Sequence, residues 1–225
     1  MYSFSKIGSR AKLSKDGNSC SYNNSLPDRG KYTALLGPAV GGDVCIVALN
    51  VDNGDGGGTT HFGMAPADAD LEKSLHEQKS ICVERNISKS TASSLTAESK
   101  PSSVWIDMQE VAESGFNYFP IRITNPVLLV WRKGESPYGE WALFAPKHNR
   151  NCGCVDGKPI FRPVPDGCTH FAVTGREQSH FTVNHKAVDE AKAALKAGDA
   201  EFVAYLFKKW SEGPELPELG CCVVA

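Results

Sequence analysis

The sequence predicts a mainly β fold with some α: an antiparallel β-sandwich flanked by helices, with an N-terminal arm or short helix and two C-terminal helices. Three observations predict it. Short runs of branched and aromatic residues recur along the chain between clusters of Gly, Pro and Asn. Helical periodicity is strongest after residue 185. The hydrophobic fraction is 41% over 225 residues, enough for one substantial core, so 1–225 reads as a single domain.

The elements follow in order. Residues 1–20 are polar, with Gly8 and Gly17, and read as the arm or short helix. A strand is expected over 31–36. Val44-Cys45-Ile46-Val47-Ala48-Leu49-Asn50-Val51 is a clearer one, and its unbroken apolar character suits burial on both faces. Asn53-Gly54-Asp55-Gly56-Gly57-Gly58 reads as a hairpin turn, with 59–64 returning as the partner strand. Residues 67–79 read as a helix capped by Asp68 or Asp70, with Leu71 and Leu75 four apart on one face. The Ser/Thr/Ala-rich stretch 86–103 reads as a surface excursion with a weak helix at 92–98.

The middle is β-rich. Strands are expected over 104–108 and 118–123, the latter an edge or bulge because of Pro120. Those over 126–132 and 141–145 flank a polar connection with Gly134, Pro137 and Gly139, a hairpin with a long loop. Residues 170–174 give a further strand. A helix over 186–196 stops at Gly198, and Asp199 caps a second that runs to Trp210. Phe202, Val203, Leu206, Phe207 and Trp210 form one apolar stripe on it, expected as core.

Formal net charge is −2, from 24 basic and 26 acidic residues, which argues against a nucleic-acid partner. Such a chain repels copies of itself weakly and can self-associate. No apolar run is long enough for a transmembrane helix, and the first ten residues lack a signal-peptide core. Cytosolic synthesis and reduced thiols are the expectation for the eight cysteines.

Several motifs suggest chemistry and then fall short of it. The Gly54 to Gly58 stretch lacks the Gly-Lys-Ser/Thr ending of a phosphate loop. A calcium loop starting at Asp52, with Asp55, would need Glu where Gly63 stands. His148, Cys152, Cys154, Cys168 and His170 resemble zinc ligands, yet Cys152-Gly153-Cys154 has one intervening residue where structural zinc sites have two to four. A loop with free thiols is the plainer reading. Cys222-Val223-Val224-Ala225, after Cys221, fits a prenylation pattern, but Glu212, Glu215 and Glu218 precede it in place of basic residues. An apolar tail tucked against this or a neighbouring chain fits that flank better. His180 and His185 flank a helix start and suit hydrogen bonding or capping. No catalytic residue and no metal site is assigned, and no enzyme is expected.

Tyr22-Asn23-Asn24-Ser25-Leu26 is similar to a segment that follows the N-terminal arm of the cypovirus polyhedrins. Phe171-Ala172-Val173-Thr174-Gly175 resembles their late strand, which ends in a small residue plus glycine. Val183, the helix, Asp199 and the stripe ending at Trp210 follow in similar order and spacing. These features cover about a third of the chain; the middle, 53–165, does not align. The resemblance implies a structural protein of the host-cell cytoplasm that forms homotrimers. The trimers pack into a crystal lattice around virus particles, the viral occlusion body, which dissolves in alkali. It also implies nucleotides (ATP, GTP or CTP) bound between subunits without catalysis, no required cofactor and no membrane. No nucleotide-binding residue maps onto this sequence. Residues 1–20 are then expected as an arm used in assembly, dispensable for the folded core. The alternatives are a cytosolic carbohydrate- or ligand-binding β-sandwich and, third, a lipid-anchored adaptor using Cys222.

Overall fold

The computed structural model describes residues 1–27, 30–52, 60–85, 103–105, 126–144, 154–155, 158–159 and 161–211. Two sheets face each other. The first has the spatial order β1 (Ser3–Ile7), β4 (Tyr32–Gly37), β14 (Cys168–Gly175), β6 (Thr60–Pro66), β7 (Ser80–Arg85) and β8 (Ser103–Trp105). Its neighbours are antiparallel except β8, which runs parallel to β7. The second sheet is antiparallel throughout. Its order is β13 (Arg162–Pro163), β10 (Glu140–Phe144), β9 (Val127–Arg132), β5 (Val44–Asp52), β15 (His180–Val183), β3 (Ser19–Tyr22) and β2 (Ala11–Leu13). The two-residue strands β11 (Cys154–Val155) and β12 (Lys158–Pro159) pair with each other.

Side-chain alternation divides each strand between two layers. Ala34 and Leu36, Phe62 and Met64, and Phe171 and Val173 point inward from the first sheet. They meet Val47, Leu49, Leu129, Trp131, Trp141 and Phe181 from the second. The intervening residues Ile46, Ala48, Leu128, Val130, Ala142 and Phe144 form a second apolar layer on the far side of the second sheet. Two helices cover it: α1 (His185–Ala197) through Ala187, Val188 and Ala191, and α2 (Asp199–Ser211) through Phe202, Val203 and Leu206. Strands buried on both faces explain why 44–51 and 127–131 read as unbroken apolar runs. The helix-flanked sandwich is thus the observed fold.

Helix boundaries have local causes. The Asn184 side chain accepts the Ala187 N–H at 3.1 Å and caps α1. Gly198, at φ 135, separates the two helices in a conformation unfavourable to other residues. Asp199, expected as the cap of α2, is its first residue, and Gly198 O accepts from Phe202 N at 2.9 Å. The Asp199 carboxylate instead reaches Arg132 at 3.5 Å. The stripe is core at Phe202, Val203 and Leu206; the side chains of Phe207 and Trp210 lie outside the described residues.

Three expectations need correction. Residues 1–20 form no helix and pack as strands within the sandwich. They supply β1 to the first sheet and β2 with the start of β3 to the second, burying Tyr2, Phe4 and Cys20. Four apolar side chains spaced along a polar stretch (Tyr2, Phe4, Ile7 and Ala11) are enough when a sheet supplies the partners. β5 and β6 belong to opposite sheets, so they do not pair as the expected hairpin; residues 53–59 lie outside the described residues. Residues 67–79 form turns and one 3-10 turn, Leu75–Glu77, instead of a helix. Their carbonyls serve the sheet: Leu71 O accepts from Thr33 N at 2.8 Å and Lys73 O from Thr33 Oγ1 at 2.6 Å. Asp70 Oδ1 accepts the Glu72 N–H at 3.1 Å, closing a local turn where a helix cap was expected. The expected elements at 92–98 and 118–123 lie outside the described residues.

Candidate functional site

The two stretches that carry the family resemblance meet at one corner of the sandwich. β3 ends at Tyr22, whose N–H donates to Ser179 O at 3.0 Å. Tyr32 opens β4 and is in register with Gly175, which closes β14. The Tyr32 hydroxyl lies 3.2 Å from Ser179 Oγ, and the Tyr22 and Tyr32 rings are 6.3 Å apart. Gly175 is required here by close approach, since a Cβ would collide with Ser179 Oγ and the Tyr32 ring. Cys20 completes the cluster through a hydrogen bond with Tyr32.

Electrostatically this inner half of the corner is dry and neutral. Burial pushes the Cys20 thiol up to about 12, against a smaller opposing effect of the Tyr32 hydrogen bond. Burial likewise raises Tyr32 well above the ordinary tyrosine range, with the Cys20 thiol adding to the effect. The same holds for Tyr2 elsewhere in the inter-sheet core, where burial and a hydrogen bond with Cys45 raise the phenol.

The outer half of the corner is built from hydroxyls and imidazoles. Thr33 and Thr174, neighbours on β4 and β14, share a hydrogen bond of 2.9 Å, and Thr174 Oγ1 accepts the Leu75 N–H at 3.0 Å. His61 on β6 is fully buried and stacks on His76 of the 3-10 turn, centroids 4.8 Å apart. His76 Nδ1 bonds to Ser74 Oγ, and its Nε2 lies 3.5 Å from Glu77 Oε1. A hydroxyl, an imidazole and a carboxylate in contact suggest acyl-transfer chemistry. Two facts assign them to structure. Ser74 is fully buried, and Glu77 Oε2 accepts the Ser74 N–H at 3.1 Å while Ser74 O accepts the Glu77 N–H at 3.0 Å. Ser74-Leu75-His76-Glu77 is a capping box.

The sequence-derived candidates scatter. Cys168 is buried in the inter-sheet core, and burial raises its thiol to about 11. His170 pairs with Thr169 Oγ1 at 3.0 Å. His148, Cys152, Cys221 and Cys222 lie outside the described residues, as does the side chain of Cys154. Among the described residues no group of three His, Cys, Asp or Glu side chains converges as metal ligands. Gly63 is explained by packing: a Cβ there would strike Ile81 O of β7. His185 Nε2 contacts Asn18 Oδ1 at 3.0 Å and His180 Nε2 contacts Thr182 Oγ1 at 2.9 Å, the hydrogen-bonding roles expected of them. Among the described residues no helix is long and apolar enough to cross a membrane.

The His61–His76 stack and the Thr33–Thr174 pair carry no local sequence signature. Only the register places them, with Phe62 and Met64 facing inward so that His61 faces outward. No protein-family model matches the chain, and no curated protein matches it.

Proposed function

We propose that this chain is an occlusion-body matrix protein similar to the cypovirus polyhedrins. It self-assembles as trimers into a cytoplasmic crystal that protects embedded virions and dissolves in alkali. One observation carries the reading: the two resembling stretches, far apart in sequence, adjoin at the Tyr22–Tyr32–Gly175–Ser179 corner. The helix pair then follows β15 in the order the resemblance implies. Nucleotides (ATP, GTP or CTP) held between subunits are part of the same proposal, with no residue assigned to them.

The buried titratable groups supply a physical basis for alkaline release. In an unfolded chain thiols and phenols ionise at about 8.5 and 10. Here Cys168 is pushed up to about 11, Cys20 and Tyr205 to about 12, and Tyr2 and Tyr32 further, each chiefly by burial. The folded chain keeps protons that the unfolded chain gives up. Its stability is therefore complete below about pH 8.5 and declines as pH rises through the 9 to 12 range.

Expression in insect cells tests the proposal. Micrometre crystals in the cytoplasm are the expected result. A soluble monomer or dimer that binds glycans would overturn it in favour of a carbohydrate-binding sandwich. Prenyl-dependent membrane association would overturn it in favour of an adaptor anchored through Cys222.

A further inference from the structure

Segment 66–79 covers the outer face of the first sheet without forming a helix. Beneath it Leu35, Ala65, Cys82 and Ala172 are fully buried. Leu75 is buried among them and Ala69 and Leu71 pack against the same patch, while the polar part of its hold on the sheet runs through Thr33, Thr174 and Ser80. Residues 6–10 also tie it down, Lys6 Nζ donating to Ala67 O at 2.8 Å and Glu72 pairing with Arg10 at 3.0 Å, and the His61–His76 stack adds a further contact, with ring planes inclined by 30°. His61 belongs to the sheet and His76 to the cover.

We propose that the His61–His76 stack is an acid-sensitive latch that holds segment 66–79 on the sheet and releases it on protonation. Two stacked imidazoles accept one proton far more easily than two, because the second places like charges in contact in a site with little water. The surroundings make His61 the obstacle. A proton on His76 has Glu77 Oε1 3.5 Å from Nε2. A proton on His61 is opposed first by burial, then by His76, Lys31 and Arg176, so its pKa lies well below the ordinary histidine value. On the neighbouring strands Glu84 of β7 and Thr174 of β14 are in register with it.

Release returns His61 to water, where it takes up a proton near pH 6.5. The neutral stack therefore stabilises the closed form fully above that pH, and its contribution is lost as pH falls below it. One proton taken up only by the open form raises the open population about 30-fold between pH 7.5 and 5.0. Opening would bare the apolar patch around Cys82. The inference concerns a local opening of the single chain and stands apart from the assembly reading.

Hydrogen exchange of the full chain in solution, corrected for the intrinsic pH dependence of exchange, reads the opening directly. Segment 66–79 should open about 30-fold more often at pH 5.0 than at pH 7.5, with β5 and β9 unchanged. Cys82 should gain reactivity toward a pyridyl disulfide over the same range. His61→Phe keeps a ring for stacking and removes the proton site, so its protection should not vary with pH. Ring-nitrogen shifts of His61 in the unaltered chain give a reading that needs no variant, and the closed form should keep a neutral ring down to pH 5. Equal protection at both pH values would overturn the proposal. So would acid opening that persists in His61→Phe, or a His61 that protonates while the segment stays protected.

Discussion

The two outer faces of the sandwich are covered in opposite ways. On the second sheet, α1 and α2 lay Ala187, Val188, Ala191, Phe202 and Leu206 onto an apolar layer. Phe202 meets Phe144 edge-on at 5.1 Å within that layer. On the first sheet an irregular segment is held by threonine hydroxyls, backbone carbonyls and a histidine pair. Apolar burial is insensitive to pH and tolerant of small shifts. Buried hydroxyl and imidazole contacts depend on geometry and protonation. The difference assigns rigidity to one face and conditional stability to the other.

The sharpest way to break that picture acts on both sheets at once. Deleting residues 1–20 removes β1 and β2 and strips Tyr2, Phe4 and Cys20 from the inter-sheet core. The truncated chain should lose cooperative thermal unfolding by near-ultraviolet circular dichroism, whereas a removable arm would leave it intact. Next in size is Phe202→Ala under α2. It should cost about 3–5 kcal/mol by urea denaturation, the range for a fully buried aromatic ring. Thr174→Val on the opposite face leaves the buried Leu75 N–H without its acceptor and should cost about 1–3 kcal/mol. Its effect should appear first as faster exchange in 66–79, with the helices unchanged. Smallest is Asn184→Ala, which removes the α1 cap for about 1 kcal/mol and should fray that helix alone.

The apolar-covered face was legible in the sequence and the polar-covered face was not. The runs at 44–49 and 127–131, the stripe at Phe202, Val203 and Leu206, and Gly198 all report on repeated apolar contacts, which leave a periodic trace. Residues 67–79 carry the marks of a helix, Asp68 and Asp70 before Leu71 and Leu75. Thr33, which sits 34 or more residues earlier, captures their carbonyls, and no local window contains that partner. The same applies to the corner. Tyr32, Gly175 and Ser179 converge only after β4 and β14 pair, so the stretches of resemblance were visible separately and their adjacency was not. Residues 1–20 read as polar in isolation, because the partners of their few apolar side chains are sheets built by the rest of the chain.

The proposed function predicts a specific response to pH, since the buried Cys20, Tyr32, Tyr2 and Cys168 hold protons that only strong alkali removes. Turbidity of purified assemblies across pH 4 to 12 tests this most directly. They should persist from mildly acidic to neutral pH and dissolve steeply above roughly pH 10. Dissolution at mildly acidic pH with persistence above roughly pH 11 would contradict both the titration argument and the occlusion-body reading.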